Sequence, residues 1–118
     1  MEFVAFVGAD KENWGQVTAL INRLEYEKCA LIMSSKAEGF PVPENCKVIE
    51  LKSEMPLLEM KDYLIEKLKP FLSGDFEVAL SIASGNGKEH MALLSALLNV
   101  PVGVKLVVYT KEGIQFLT

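Results

Sequence analysis

Ser84-Gly85-Asn86-Gly87-Lys88 is the stretch of this chain best equipped for chemistry. Two glycines let a backbone come close to a bound group. Exposed N–H groups at the start of a helix attract anions, and Lys88 adds a full positive charge. The combination suits a phosphate or phosphodiester. A plain strand-to-helix turn with a solvated lysine is the competing reading. His90, the single histidine, would be placed to move a proton if it faced this loop; otherwise it is a partly exposed residue of the first helical turn. Ser84, Lys88 and His90 are therefore the catalytic candidates.

Other chemistries are excluded residue by residue. A P-loop needs glycine at position 82 and a hydroxyl residue after the lysine, where this chain has Ile82 and Glu89. A dinucleotide fingerprint needs a third glycine at the position of His90, and it should follow the first strand. The first strand is instead followed by Gly8-Ala9-Asp10-Lys11-Glu12-Asn13, and the second ends in Ser34-Ser35 rather than in an acidic residue that would hold a ribose. No nicotinamide or other cofactor is expected. There is no Gly-x-Ser-x-Gly elbow. Cys29 falls inside an apolar run and reads as core, and Cys46 falls in a loop. With one histidine elsewhere, no metal site is expected.

The elements that must position this loop follow from hydrophobic spacing. Residues 3–7, 29–33, 47–51, 76–83, 104–109 and 114–117 read as strands. Residues 13–27, with Trp14, Val17, Ile21 and Leu24 on one face, read as a helix with Trp14 as core. A second helix opens at Pro56, where a missing N–H is harmless, and closes at Pro70. Ser73-Gly74-Asp75 reads as a turn. A third helix, 88–98, is apolar around most of its circumference, so it is expected to bury against the sheet and a second surface. Residues 34–45, rich in turn formers, read as a loop. Strands alternating with helices predict an α/β fold: a Rossmann-like three-layer sandwich with a mostly parallel six-stranded sheet and a C-terminal β-hairpin, one domain over 1–118. In such sheets ligands bind beyond the carboxyl ends of the strands, where strand order reverses. The loops there are 8–13, 34–38 and 84–88.

This arrangement resembles the CRISPR-associated Rossmann-fold (CARF) domain family. That family has a strand, a loop of the form Thr/Ser-Gly-Gly-Thr-Lys, an apolar helix and a closing hairpin. Here the loop is Ser84-Gly85-Asn86-Gly87-Lys88, the helix carries Met91-Ala92-Leu93-Leu94, and the hairpin runs from Leu106-Val107-Val108-Tyr109 to Ile114-Gln115-Phe116-Leu117. Asn86 stands for the usual second glycine and Gly87 for the usual hydroxyl residue. The resemblance implies a homodimer that binds a cyclic oligoadenylate across its two-fold axis. Gly8, Ala9, Asp10 and Asn13 would line the ligand site from the first loop and Ser84, Gly85, Asn86, Gly87 and Lys88 from the fourth; Ser34 and Ser35, in the second loop, join the candidate site by the topological argument alone. The resemblance also implies one alternative, a metal-independent ring nuclease in which the ligand's own 2′-hydroxyl attacks the phosphate; a non-catalytic scaffold subunit that keeps the fold without binding nucleotides is a further reading, from another class. Family members usually carry a second effector domain, which leaves four readings open here: a free-standing domain, a ligand sink, a subunit that pairs with a separate effector protein, or a piece of a longer chain.

Length and composition set the outer bounds. With 118 residues and 50% hydrophobic side chains, one domain with a sizeable core is expected. Twelve basic against sixteen acidic side chains give a net charge of −4, which argues against a general nucleic-acid surface. No apolar run approaches the roughly 20 residues of a membrane span, and no secretory signal is expected at the N-terminus. Two cysteines form no disulfide scaffold, so a reducing cytoplasm is the expected compartment. Lysine supplies eleven of the twelve basic residues and glutamate thirteen of the sixteen acidic ones, a bias in the direction of a thermophile's surface.

Overall fold

A computed structural model describes residues 1–72 and 77–118. It has six strands, β1 (Glu2–Val7), β2 (Cys29–Ser34), β3 (Cys46–Leu51), β4 (Glu77–Ser81), β5 (Gly103–Thr110) and β6 (Gly113–Phe116), three α-helices, α1 (Trp14–Arg23), α2 (Leu57–Phe71) and α3 (Gly87–Leu98), and a 3₁₀ turn, Lys11–Asn13, that leads into α1. The strands form one sheet in the order β3-β2-β1-β4-β5-β6. All pairs are parallel except the closing β5–β6 hairpin. This is the expected Rossmann-like α/β sandwich.

The layers follow from right-handed crossovers. From β1 the chain moves outward to β2 and β3, so those two connections share one face. From β3 it returns to β4 and β5, and those connections share the other. On the first face, Val17, Leu20 and Ile21 of α1 pack on Phe3, Ala5, Leu31 and Met33. The β2–β3 connection has no helix, and Ala37 and Phe40 fill the space that a helix would take. On the second face, Met60, Leu64 and Leu68 of α2 join Ala92, Leu93, Ala96 and Leu97 of α3 over Val4, Phe6, Ile32, Ile49 and Leu80. The central strands β1 and β2 are buried along their whole length, as two-sided coverage requires.

Several boundaries differ from the sequence reading. The first helix stops at Arg23 rather than at 27. Leu24 turns extended, the Tyr26 hydroxyl donates to the Ile21 carbonyl at 3.1 Å, and the Tyr26 ring packs on Phe3 at 5.7 Å. A tertiary contact and a side-chain cap thus replace the last helical turn. The second helix runs to Phe71, one residue past Pro70, so the proline, which has no N–H to donate to the carbonyl four residues back, sits at the helix end. The fourth strand's ladder is shorter than 76–83, because residues 82–83 leave it to form the loop. Phe76 and the expected turn Ser73-Gly74-Asp75 lie outside the described residues. Finally, α3 is covered by the sheet and α2, but its third flank is open: Met91 is 58% and Leu98 72% exposed. No helix among the described residues is long and apolar enough to cross a membrane.

Candidate functional site

The strand order reverses between β1 and β4, so the loops leaving those two strands stand side by side. The structure latches them together. The Ser84 hydroxyl donates to Asp10 Oδ1 at 2.7 Å and accepts from the Gly8 N–H at 2.8 Å. Asp10 Oδ1 also accepts from the Gly85 N–H at 2.9 Å, and Oδ2 accepts from Asn13 Nδ2 at 2.7 Å. Burial raises the Asp10 pKa, but the donors Asn13, Ser84 and Gly85 outweigh it and hold the carboxyl below its ordinary value. Asp10 is therefore ionised at neutral pH, with both oxygens engaged inside the protein.

Gly85 has φ +107°, the left-handed region that favours glycine. A side chain there would meet Phe6, and one at Gly8 would meet the Gly85 backbone at 2.7 Å. The two loops touch backbone to backbone. Trp14 secures the first loop, donating from Nε1 to the Gly8 carbonyl at 2.9 Å and packing edge-on against Phe40 at 5.4 Å. Its ring is half-buried in the face beneath α1 rather than turned toward the cleft.

The start of α3 is closed by a capping box. Asn86 Oδ1 accepts from the Glu89 N–H at 2.8 Å, and Glu89 Oε1 accepts from the Asn86 N–H at 2.9 Å. The helix thus carries its own carboxylate where an anion was expected. Replacing Asn86 by alanine removes one half of the box, and thermal unfolding should show a loss of about 1 kcal/mol.

These elements surround a cleft of about 280 Å³ lined by Ala9, Asp10, Ser34, Lys36, Ser53, Gly85, Asn86 and Glu89. Of the expected site residues, Ala9, Asp10, Ser34, Gly85 and Asn86 meet there. Gly8, Asn13 and Ser84 stand behind it as supports, and Ser84 is fully buried. Ser35 belongs instead to a neighbouring cavity with Glu50, Leu51, Lys52, Met55 and Tyr63. Lys88 lies at the rim, its ammonium donating to the Ser53 carbonyl at 3.3 Å. The N–H groups of Gly87 and Lys88, in the first turn of α3, have no acceptor within the helix.

His90 does not line the cleft. Its Nε2 lies 2.7 Å from the Ser84 carbonyl, and because a carbonyl only accepts, Nε2 carries a proton. The ring also meets Phe6 edge-on at 6.2 Å. The histidine holds the loop from beneath.

Three lining residues were not among the expected site residues: Lys36, which falls in the expected loop 34–38, and Ser53 and Glu89, which fall outside the expected loops. Lys36 and Ser53 follow β2 and β3, whose loops open at the same end of the sheet. Glu89 was signalled by Asn-x-x-Glu, the spacing of a capping box. Among the described residues no group of three or more His, Cys, Asp or Glu could hold a metal ion. A cavity of about 640 Å³ lies away from the switch point along α2, between Lys52, Met55, Tyr63 and the carboxylates Glu54, Glu59, Asp62 and Glu66. Comparison of the chain with known protein families and with curated proteins finds no match.

Proposed function

We propose that this chain is a ligand-sensing domain that binds a cyclic oligoadenylate or a related nucleotide at the carboxyl ends of its parallel strands. The observation that carries the reading is the latched pair of loops at the switch point. Asp10, Ser84 and Gly85 fix them into one rim, and the cleft beside that rim is walled by Lys36 with Lys88 at its mouth. A pre-formed rim lowers the ordering cost of binding. Phosphate recognition falls to Lys36, Lys88 and the first-turn N–H groups of α3. Glu89, whose Oε1 holds the cap, presents a carboxylate suited to accept from a ribose hydroxyl or a base amino group. A cleft of this size holds only part of a cyclic oligonucleotide, so two copies related by a two-fold axis would share one ring. The partner in signalling would be a separate effector protein, and the cytoplasm the compartment.

The ring-nuclease alternative is narrowed by the placement of its candidates. The Ser84 hydroxyl and His90 Nε2 are engaged within the protein. Cleavage would rest on the ligand's own 2′-hydroxyl, with Lys88 stabilising developing charge. The scaffold alternative is favoured by one observation: the N–H groups of Gly8, Gly85 and Asn86 all donate to protein acceptors.

Calorimetric titration with cyclic tetra- and hexa-adenylate, with chromatography of the products, separates these readings. Binding at micromolar protein is expected, with a two-fold oligomer by mass in solution. Lys36→Ala and Lys88→Ala should each weaken it by about tenfold, the worth of one charge-assisted contact. Absence of binding, or binding unchanged in both variants, sinks the sensing reading and leaves the scaffold. Linear products would establish the nuclease.

A further inference from the structure

Parallel pairing of β2 with β3 sets Cys29 directly beside Cys46. In-register residues on neighbouring strands have backbones about 4.8 Å apart, inside the roughly 4.4–6.8 Å Cα separation that a disulfide spans. Both side chains belong to the same buried cluster beneath α1, so they project from the same face of the sheet. Both are free thiols. Cys29 is fully enclosed, whereas Cys46 lies on the edge strand, 8% exposed, with its Sγ 3.9 Å from Asn45 Oδ1. Burial first, and then the neighbouring Cys46 thiol, push the Cys29 pKa far up.

We propose that Cys29 and Cys46 form a dithiol modification site that a small disulfide oxidant, of the oxidised-glutathione class, converts into an intrachain disulfide. The Cys46 thiolate, the less enclosed of the two, attacks one sulfur of the oxidant. The oxidant's S–S bond breaks, one small thiolate leaves, and a mixed disulfide forms on Cys46. The Cys29 thiol then loses its proton and attacks Cys46 Sγ, expelling the second small thiolate. Two protein S–H bonds and one S–S bond are consumed; one protein S–S bond and two small-molecule S–H bonds are formed. The protein is oxidised by two electrons and the oxidant reduced by two.

The cross-link has a structural target. It closes the loop 30–45, which supplies Phe40 to the core and Ser34 and Lys36 to the cleft. It also ties the edge strand β3 to β2. The site stands independently of what the cleft binds.

The test is oxidation of the full native chain with oxidised glutathione, followed by intact-mass measurement and non-reducing peptide mapping. The expected product is lighter by two hydrogens, carries no glutathione, and joins the peptides holding residues 29 and 46. Its thermal midpoint should rise by about 5 °C, the order expected for closing a loop of this length less some strain, and dithiothreitol should reverse the shift. Cys29→Ser should stop at the glutathione adduct on Cys46. Three wild-type results would overturn the proposal: two thiols that persist in the native chain, an adduct that never resolves, or a disulfide formed only between chains.

Discussion

Gly85→Val should destabilise the fold by about 4 kcal/mol or more in urea unfolding, and Gly85→Ala by about 3 kcal/mol, since left-handed strain and overpacking add. Gly85 sits at φ +107°, and a Cβ there would lie 2.7 Å from Phe6 Cδ1 and 3.0 Å from His90 Nε2. The Phe6 ring is fully buried in the central strand and cannot swing away. His90 cannot retreat without leaving the Ser84 carbonyl. The neighbouring Gly87 supplies the contrast. It opens α3 with nothing within 4 Å of its Cβ position, and its φ is not positive. Gly87→Ala should therefore be neutral or stabilise by about 0.5 kcal/mol, by restricting the unfolded chain. Equal losses at the two positions would refute the assignment of strain to Gly85.

Removing the latch is the second large effect. Asp10→Ala leaves the Ser84 hydroxyl, the Gly85 N–H and the Asn13 amide without their acceptor. Water reaches the buried Ser84 poorly, so the expected loss is about 3 kcal/mol, the sum of one stranded buried donor and two weaker bonds. Acid unfolding gives an independent readout. The folded-state pKa of Asp10 lies below its ordinary value of 3.8, so the unfolded chain binds its proton first. Its contribution is fully present above pH ~4 and is lost as pH falls through the folded pKa. Asp10→Asn should remove this part of the acid sensitivity, so the stability gap to wild type should narrow below pH ~4. A gap that stays constant across that range would show that Asp10 acts without its charge.

The latch also explains why the cleft differs from a bare anion cradle. Glycines after β1 and β4 bring the two loops into contact, and Asp10 then takes the donors that a phosphate would have met. Glu89 does the same at the helix start. Cationic character at the cleft therefore comes from lysine side chains at its margin.

Alternating apolar runs determined the α/β class and the existence of the six strands and three α-helices, because burial on two faces imposes apolar strands and on one face imposes amphipathic helices. The turn chemistry of residues 84–88 likewise marked where α3 begins, but the capping box between Asn86 and Glu89 was not part of that reading. Tertiary structure alone decided where α1 ends, since Tyr26 leaves the helix to reach Phe3. It alone decided that the Ser84 hydroxyl donates to Asp10, 74 residues away, and that His90 turns beneath its loop. It alone placed Cys29 beside Cys46, because strand register is set by which faces bury together and not by distance along the chain. Local sequence encodes what each segment can form; which polar groups meet depends on strand order, and that emerges only when the whole sheet closes.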